Sequence, residues 1–348
     1  MTTTLFFIMT FTKLSVVWCM VLTVAGVHAQ ELDPKVRTGV LDNGMTYYIR
    51  HHDNPAQRAD FFIVHNVGAL EEEDNQDGLA HFLEHLAFNG TWHYPDDSMN
   101  EFLAANGVMF GSNVNAYTAR EHTVYNLSNI PLHRDSFIDS VLLIIHDWSS
   151  YITCSPEQLE AERGVIREEW RRGDDTRTRV STKLEQYEYA GSKHSRRSVI
   201  GSIDIINNFK RQELLDFYHT WYRPDLQAVV VVGDIDVDTM ERKVRDLFSS
   251  IPAVEDPAPK VHYQIPYTPQ PVIATVTDKE INYTALKITY KQPHPTSLQR
   301  DLVPELDKVL LAIAENGPNH DDFASIKMSL QKRQCVYFYI DTEIIPSF

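Results

Sequence analysis

The sequence predicts an α+β fold in which a layered antiparallel sheet carries helices packed on it, followed by part of a second α+β domain. Three observations point there. Short apolar runs with alternating polarity and hairpin dipeptides mark strands that pair with their sequence neighbours. Between them lie stretches with helical spacing of apolar residues. No Gly-rich phosphate loop follows any strand, which disfavours a doubly wound parallel sheet.

The elements follow in order. "GVLDNGMTYYIRHHD" reads as two strands joined at Asn43-Gly44, and "ADFFIVHNVGAL" as a third. The acidic run "EEED", expected as a solvated loop, leads into "GLAHFLEHLAFNGT", a helix for which Asp74 or Asp77 offers a cap. "SMNE" at 98–101 starts a short helix with capping-box spacing. "VMFGSNVNAYTAREHTVYNLSNI" alternates as a strand pair, and residues 134–149 space Phe137, Val141, Ile144, Ile145 and Trp148 helically. "SPEQ" at 155–158 opens another helix, with Ser155 as cap, Pro156 in the first turn and Gln158 closing the box. "RQELLDFYHTWY" reads as helix, "LQAVVVV" as buried strand and "DVDTMERKVRDLF" as helix. Pro-rich residues 251–270 lack a period and mark a boundary, with strands expected near 271–277 and 284–290 and helices near 304–315 and 321–332. The expected division is residues 1–29, 30–255 and 256–348.

Composition bounds the function. The 348-residue chain is 43% hydrophobic and 23% charged, within the globular range. A net charge of −16 argues against a nucleic-acid partner, which needs clustered Lys and Arg. Arg171-Arg172 and Arg196-Arg197 read instead as solvated helix ends and loops. After Lys13, an apolar run ending in small residues near Ala29 reads as a secretory signal peptide, so the protein is expected to be exported, periplasmic or secreted, with no stable membrane span. Beyond it, Cys154 and Cys335 are expected as buried thiols.

The chemistry concentrates in two helices. His81, Glu84 and His85 occupy positions i, i+3 and i+4 and share one face, while Leu79, Phe82, Leu83 and Leu86 project the opposite way. Two imidazoles so spaced can grip one Zn²⁺, with the intervening acid beside the metal. In the helix opened by "SPEQ", the apolar stripe holds Leu159, Val165, Ile166 and Trp170. Glu162 and Glu169 fall inside it, whereas Glu157, Glu160 and Glu168 fall outside. Two carboxylates on a core-facing stripe need a cationic partner, a metal or a buried Arg. His51, His52, His93 and His122 show no ligand spacing.

These residues resemble a known family. "HFLEH" is similar to the inverted zinc motif HxxEH of the pitrilysin, insulinase and mitochondrial-processing-peptidase family of metallopeptidases. Gly68, "NVNAYTAREHTVYN", "ERGVIREEW", "WYRPDLQAVVVVGDID" and "GPNHDDFASIK" resemble it too, its secreted bacterial members in particular, well over residues 34–250 and in patches beyond. The resemblance implies a zinc metalloendopeptidase with one Zn²⁺ per chain on His81 and His85, and Glu84 as general base taking a proton from water. A gapless alignment puts the third ligand at Glu169 and a supporting acid at Glu162. The interval from His85 to Glu169 is longer than is usual in the family, so Glu162 stays open as the ligand. The resemblance also implies that "NVNAYT", with Asn113, Asn115, Ala116 and Tyr117, forms a sheet edge to which an extended peptide substrate adds. Family members close a peptide chamber with two similar halves. The second half is not found in this sequence, so a second family half or a homo-oligomer is the expected partner. The alternative is a non-catalytic peptide-binding or assembly subunit.

Overall fold

A computed structural model describes residues 33–266, 270, 272–281, 285–289 and 338–341. The expected signal peptide, the helices near 304–315 and 321–332, and Cys335 lie outside these residues. Strands β1 (Val36–Val40), β2 (Thr46–His51), β3 (Arg58–His65), β4 (Val114–Thr118), β5 (Thr123–Pro131) and β6 (Gln227–Gly233) form one sheet in the order β1-β2-β6-β3-β5-β4. β7 (Leu286–Thr289) and β8 (Phe338–Asp341) form a separate parallel pair, and residues 272–277 are not a strand.

The sheet departs from the purely antiparallel expectation at one place. β6 returns late in the chain and inserts between β2 and β3, antiparallel to β3 but parallel to β2. Its run of valines is what a central strand with neighbours on both sides requires. Alternation along the strands sends Tyr47, Ile49, Phe61, Ile63, Val229 and Val231 to a fully buried face, and the intervening residues remain part-exposed. Each such side chain contributes about 1.5–3 kcal/mol on burial.

The helices are α1 (Leu79–Leu86), α2 (Ser98–Ala105), α3 (Asp135–Ser150), α4 (Pro156–Gly173), α5 (Thr176–Glu188), α6 (Ile203–Asn208), α7 (Arg211–Trp221) and α8 (Val237–Phe248). α3 packs on β3, α8 on β2, and α1 against both β4 and α4. Trp148, fully buried in α3, stacks on Tyr125 of β5 and donates its indole N–H to the Ala87 carbonyl, which pins the end of α1. Cys154 is buried, and burial pushes its thiol up to about 12. No helix of the described residues is long and apolar enough to cross a membrane.

The start of α1 is built differently from expectation. Neither Asp74 nor Asp77 caps it. The N-cap is Gly78, at φ 101°, and the orphan amides of Gly78 and Ala80 donate to the carboxylate of Glu72, at 3.1 and 2.8 Å. "EEED" is therefore not a solvated loop throughout: Glu71 and Glu72 are buried, and burial raises the Glu72 carboxyl well above its ordinary value. Asp74 pairs instead with Arg197, whose guanidinium is buried against the Glu72 carbonyl, while Arg171 and Arg172 are exposed as expected. Ser155 caps α4 through Gln158 N–H, but the Gln158 side chain reaches across to the Asn89 carbonyl rather than closing the box. At α2 the N-cap is Asp97, and Ser98 lies inside the helix.

Gly78 and Gly201 meet back to back. A Cβ on Gly201, itself at φ 75°, would lie 2.3 Å from the Gly78 Cα. Gly107, at φ 76°, would place its Cβ in open space. Gly107→Ala therefore meets conformational strain alone, about 1 kcal/mol, whereas Gly201→Ala adds a backbone collision and costs about 3 kcal/mol. Thermal unfolding of both variants checks this. Equal midpoints would show that the close approach does not constrain the helix start.

Candidate metal centre

α1 buries Leu79, Phe82, Leu83 and Leu86 and turns His81, Glu84 and His85 toward α4. The apolar stripe of α4 is narrower than the spacing suggested: Leu159, Glu162 and Ile166 are buried, but Val165 is 51% exposed and Trp170 only half-buried. Arg163 is also buried on this helix, stacked on Phe209 and donating to the carbonyls of Ile206 and Phe209.

The two acids of α4 meet the imidazoles from different sides. His85 Nδ1 lies 2.8 Å from Glu162 Oε1, and Asn89 donates to Glu162 Oε2 at 2.6 Å. On the other edge of the rings, His85 Nε2 is 3.4 Å from Glu169 Oε2 and His81 Nε2 is 3.7 Å from Glu169 Oε1. Glu168 points away, bound to Arg171 and Arg172. The carboxylates thus need no buried Arg: Glu162 is satisfied by His85 and Asn89, and Glu169, its side chain 49% exposed, lies off the core-facing stripe on which the spacing placed it.

The donor set fits a metal. Zinc bonds of 2.0–2.2 Å in a tetrahedron imply donor separations of about 3.4 Å; the 3.4 Å from Glu169 Oε2 to His85 Nε2 matches that edge, and the other carboxylate oxygen lies 3.7 Å from His81 Nε2. The electrostatics agree with a cation at that point. Burial would lower His85, but hydrogen bonds to Glu162 and Glu169 overcome it and lift the ring to about 9, so the acids attract positive charge there. Burial and the charge of His85 push His81 down to about 4, which keeps its ring neutral as a ligand must be. A metal held by Nε2 would take the place of the extra proton of His85, while Nδ1–H stays with Glu162, as outer carboxylates orient ligating histidines.

Glu84 sits beside the pair, 7% exposed, and burial raises its carboxyl above the ordinary value. Its Oε2 accepts from Thr118 Oγ1 at 2.6 Å. Thr118 and Asn89 were not singled out in the sequence. Thr118 ends the "NVNAYT" segment and Asn89 follows the HxxEH run by four residues, but which side chain each would meet depends on how α1 packs against β4 and α4.

β4 is the terminal strand of the sheet: it pairs with β5, and among the described residues its other edge is bridged only at Val114, to Phe110. Asn115, Ala116 and Tyr117 lie on it. Tyr117 is 52% exposed with its ring edge-on to His122. Asn113 precedes the strand, and its amide holds the hairpin by bonding Met109 N–H and the Ser128 carbonyl. A second cluster also forms, from His93, His146 and Asp147, although none of the three has ligand spacing in sequence.

Residues 47–200 match the family model described as Insulinase (Peptidase family M16), and residues 208–306 match Peptidase M16 inactive domain. The chain is 29% identical over 357 residues to "Probable zinc protease PqqL" of Haemophilus influenzae, covering 98% of this chain and 38% of the relative. It is 37% identical over 221 residues to the protein of the same name from Escherichia coli, covering 64% of this chain and 24% of the relative. The chain therefore spans well under half the length of these relatives. Among solved structures, the first half of the periplasmic protease PqqL from Escherichia coli superposes with a TM-score of 0.63 at 36% identity, covering 66% of this chain and 49% of that one.

The geometry separates three glutamates that crowd one helix. Under chelator competition, Glu169→Gln is expected to lose zinc, Glu162→Gln to weaken it by roughly 10 to 100-fold, and Glu168→Gln to match the wild type. If Glu162→Gln empties the site while Glu169→Gln keeps it, the ligand and the supporting acid are interchanged.

Proposed function

Because the chain belongs to the insulinase family of peptidases, M16, we propose that it is a zinc-dependent metalloendopeptidase acting on peptides or unfolded polypeptide segments. The observation that carries the reading is the convergence of His81 Nε2, His85 Nε2 and the Glu169 carboxylate beside a buried Glu84. Zn²⁺ held by those three residues would supply Lewis acidity, lowering the pKa of a water and polarising the scissile carbonyl.

The chain's own residues supply the rest. Glu162 fixes the ring of His85 through Nδ1, and Asn89 fixes Glu162. Glu84, with its affinity for a proton raised by burial, takes one from the attacking water as the C–O bond forms. It returns that proton to the amine nitrogen as the C–N bond breaks. The Thr118 hydroxyl holds Glu84 in one rotamer. The outer edge of β4 receives an extended peptide through its main chain, with Asn115, Ala116 and Tyr117 alongside.

Residues 30–255 are taken as the peptidase domain and 256–348 as part of a second. A second family half or a second copy of the chain would complete the substrate chamber. Export behind residues 1–29 would bring the enzyme to the compartment named for the periplasmic relative. The competing reading, a non-catalytic peptide-binding subunit, keeps the metal but has no use for Glu84.

Metal content and cleavage of a quenched peptide separate the two. Glu84→Gln should retain zinc and lower kcat by at least about 100-fold. Thr118→Val should lower kcat roughly 10-fold with KM little changed, as expected for one lost hydrogen bond to a charged group, and Thr118→Ser should restore it. Turnover by Glu84→Gln at the wild-type rate would remove the base from the mechanism; zinc binding without any turnover by the wild type would favour the subunit.

A further inference from the structure

Away from α4, the last turns of α3 meet the segment that follows α1. Asp147, with its side chain fully buried, accepts from Thr91 Oγ1 at 2.7 Å and His93 N–H at 2.9 Å through Oδ2. Its Oδ1 lies 2.7 Å from His93 Nδ1 and 3.4 Å from His146 Nδ1. These bonds outweigh the cost of burial and hold the carboxyl below its ordinary value, so it is an anion in the interior.

The hydrogen count around His146 leaves a gap. Ser250 spends its one hydroxyl proton on the Leu247 carbonyl, at 2.6 Å, so toward His146 Nε2 at 3.2 Å it can only accept. Nε2 therefore carries the ring hydrogen. In the neutral ring Nδ1 then turns a lone pair toward Asp147 Oδ1, acceptor against acceptor, unless a cation lies between them. The same oxygen has His93 Nδ1 on its other side, and one ligand atom from each of the three residues lies within 4.8 Å of the others.

We propose that His93 Nδ1, His146 Nδ1 and Asp147 Oδ1 form a second divalent-metal site of the zinc type, distinct from that on α1 and α4. The donors are two imidazoles and a carboxylate, the set borderline-soft ions prefer. The 3.4 Å gap between His146 and Asp147 already matches the edge of a zinc tetrahedron, about 3.4 Å. His93 would draw back by about 0.7 Å to match that edge; its side chain is 41% exposed and gives the ion a route from solvent. His146 arrives oriented by Ser250, in the way an outer acceptor fixes a ligating imidazole. The role is structural. The site would staple α3 to residues 91–93, two residues beyond Asn89, which supports Glu162.

The inference does not rest on the peptidase reading, and zinc titration of the full chain tests it. Wild type should bind two zinc ions and His93→Ala one, with thermal unfolding of the wild type, but not of His93→Ala, rising further as the second equivalent is added. His81→Ala/His85→Ala should keep one ion, removed by adding His93→Ala. A wild type that saturates at one ion, lost with His81→Ala/His85→Ala and kept by His93→Ala, overturns the second site. A second equivalent indifferent to His93→Ala overturns it equally, as surface binding elsewhere.

Discussion

The hydrogen bond between His85 and Glu162 is the constraint on which the arrangement of this domain turns. It joins two helices that would otherwise bury polar groups against each other at a loss, since neither an imidazole nor a carboxylate enters a protein interior without a partner. Once the pair is made, the register of α4 along α1 is set. One turn away from Glu162 comes Ile166, which is buried, and two turns away comes Glu169, which reaches the opposite edges of both rings. The spacing of seven residues between the two acids thus puts one behind the His85 ring and one in front of both rings. The charge balance follows: Glu84, Glu162 and Glu169 surround two rings, and a cation held at the Nε2 atoms would relieve the excess of negative charge.

That pairing demands that α1 start at a defined height and end at a defined depth. Glu72 supplies the acceptors for the first amides, the contact of Gly78 with Gly201 leaves no room for a side chain, and Trp148 holds the carbonyl at the far end. A ligand helix of two turns cannot hold itself in water, so its rigidity comes from these tertiary fastenings. The same fastenings carry Glu84 to Thr118, at the end of the terminal strand. Glu84 and the sheet edge are thereby brought beside each other by one element.

The chain spans 38% and 24% of the two relatives, and its matched stretches run through residues 47–200 and 208–306. The candidate centre lies wholly within the first of these. The residues proposed as ligands, supporting acid and base all come from α1 and α4, so the proposed metal chemistry would be local to the first stretch.

Much of this was legible in the sequence. Periodicity is a local property, so the helical face of His81, Glu84 and His85, the strands of the main sheet and the Ser155 cap could be read from spacing alone. Helical phase set Glu162 apart, and it is buried, but the same phase put Glu169 on the core-facing stripe, where folding leaves its side chain 49% exposed against 42% for Glu168. Other features depend on chain segments far apart in sequence, and no local period encodes them. Alternation shows which residues of β6 face the core but is silent on whether β2 runs parallel or antiparallel beside it. An acidic run reads as solvated, because nothing within it reveals that Glu72 will meet the bare amides of Gly78 and Ala80. His93 carries no ligand spacing, yet folding brings it within 2.7 Å of Asp147. The sequence by itself determined the kinds of chemical group and the face each occupies on its own element. The tertiary structure alone decided which groups meet across elements, since those distances are set by packing between helices and strands and not by the covalent chain.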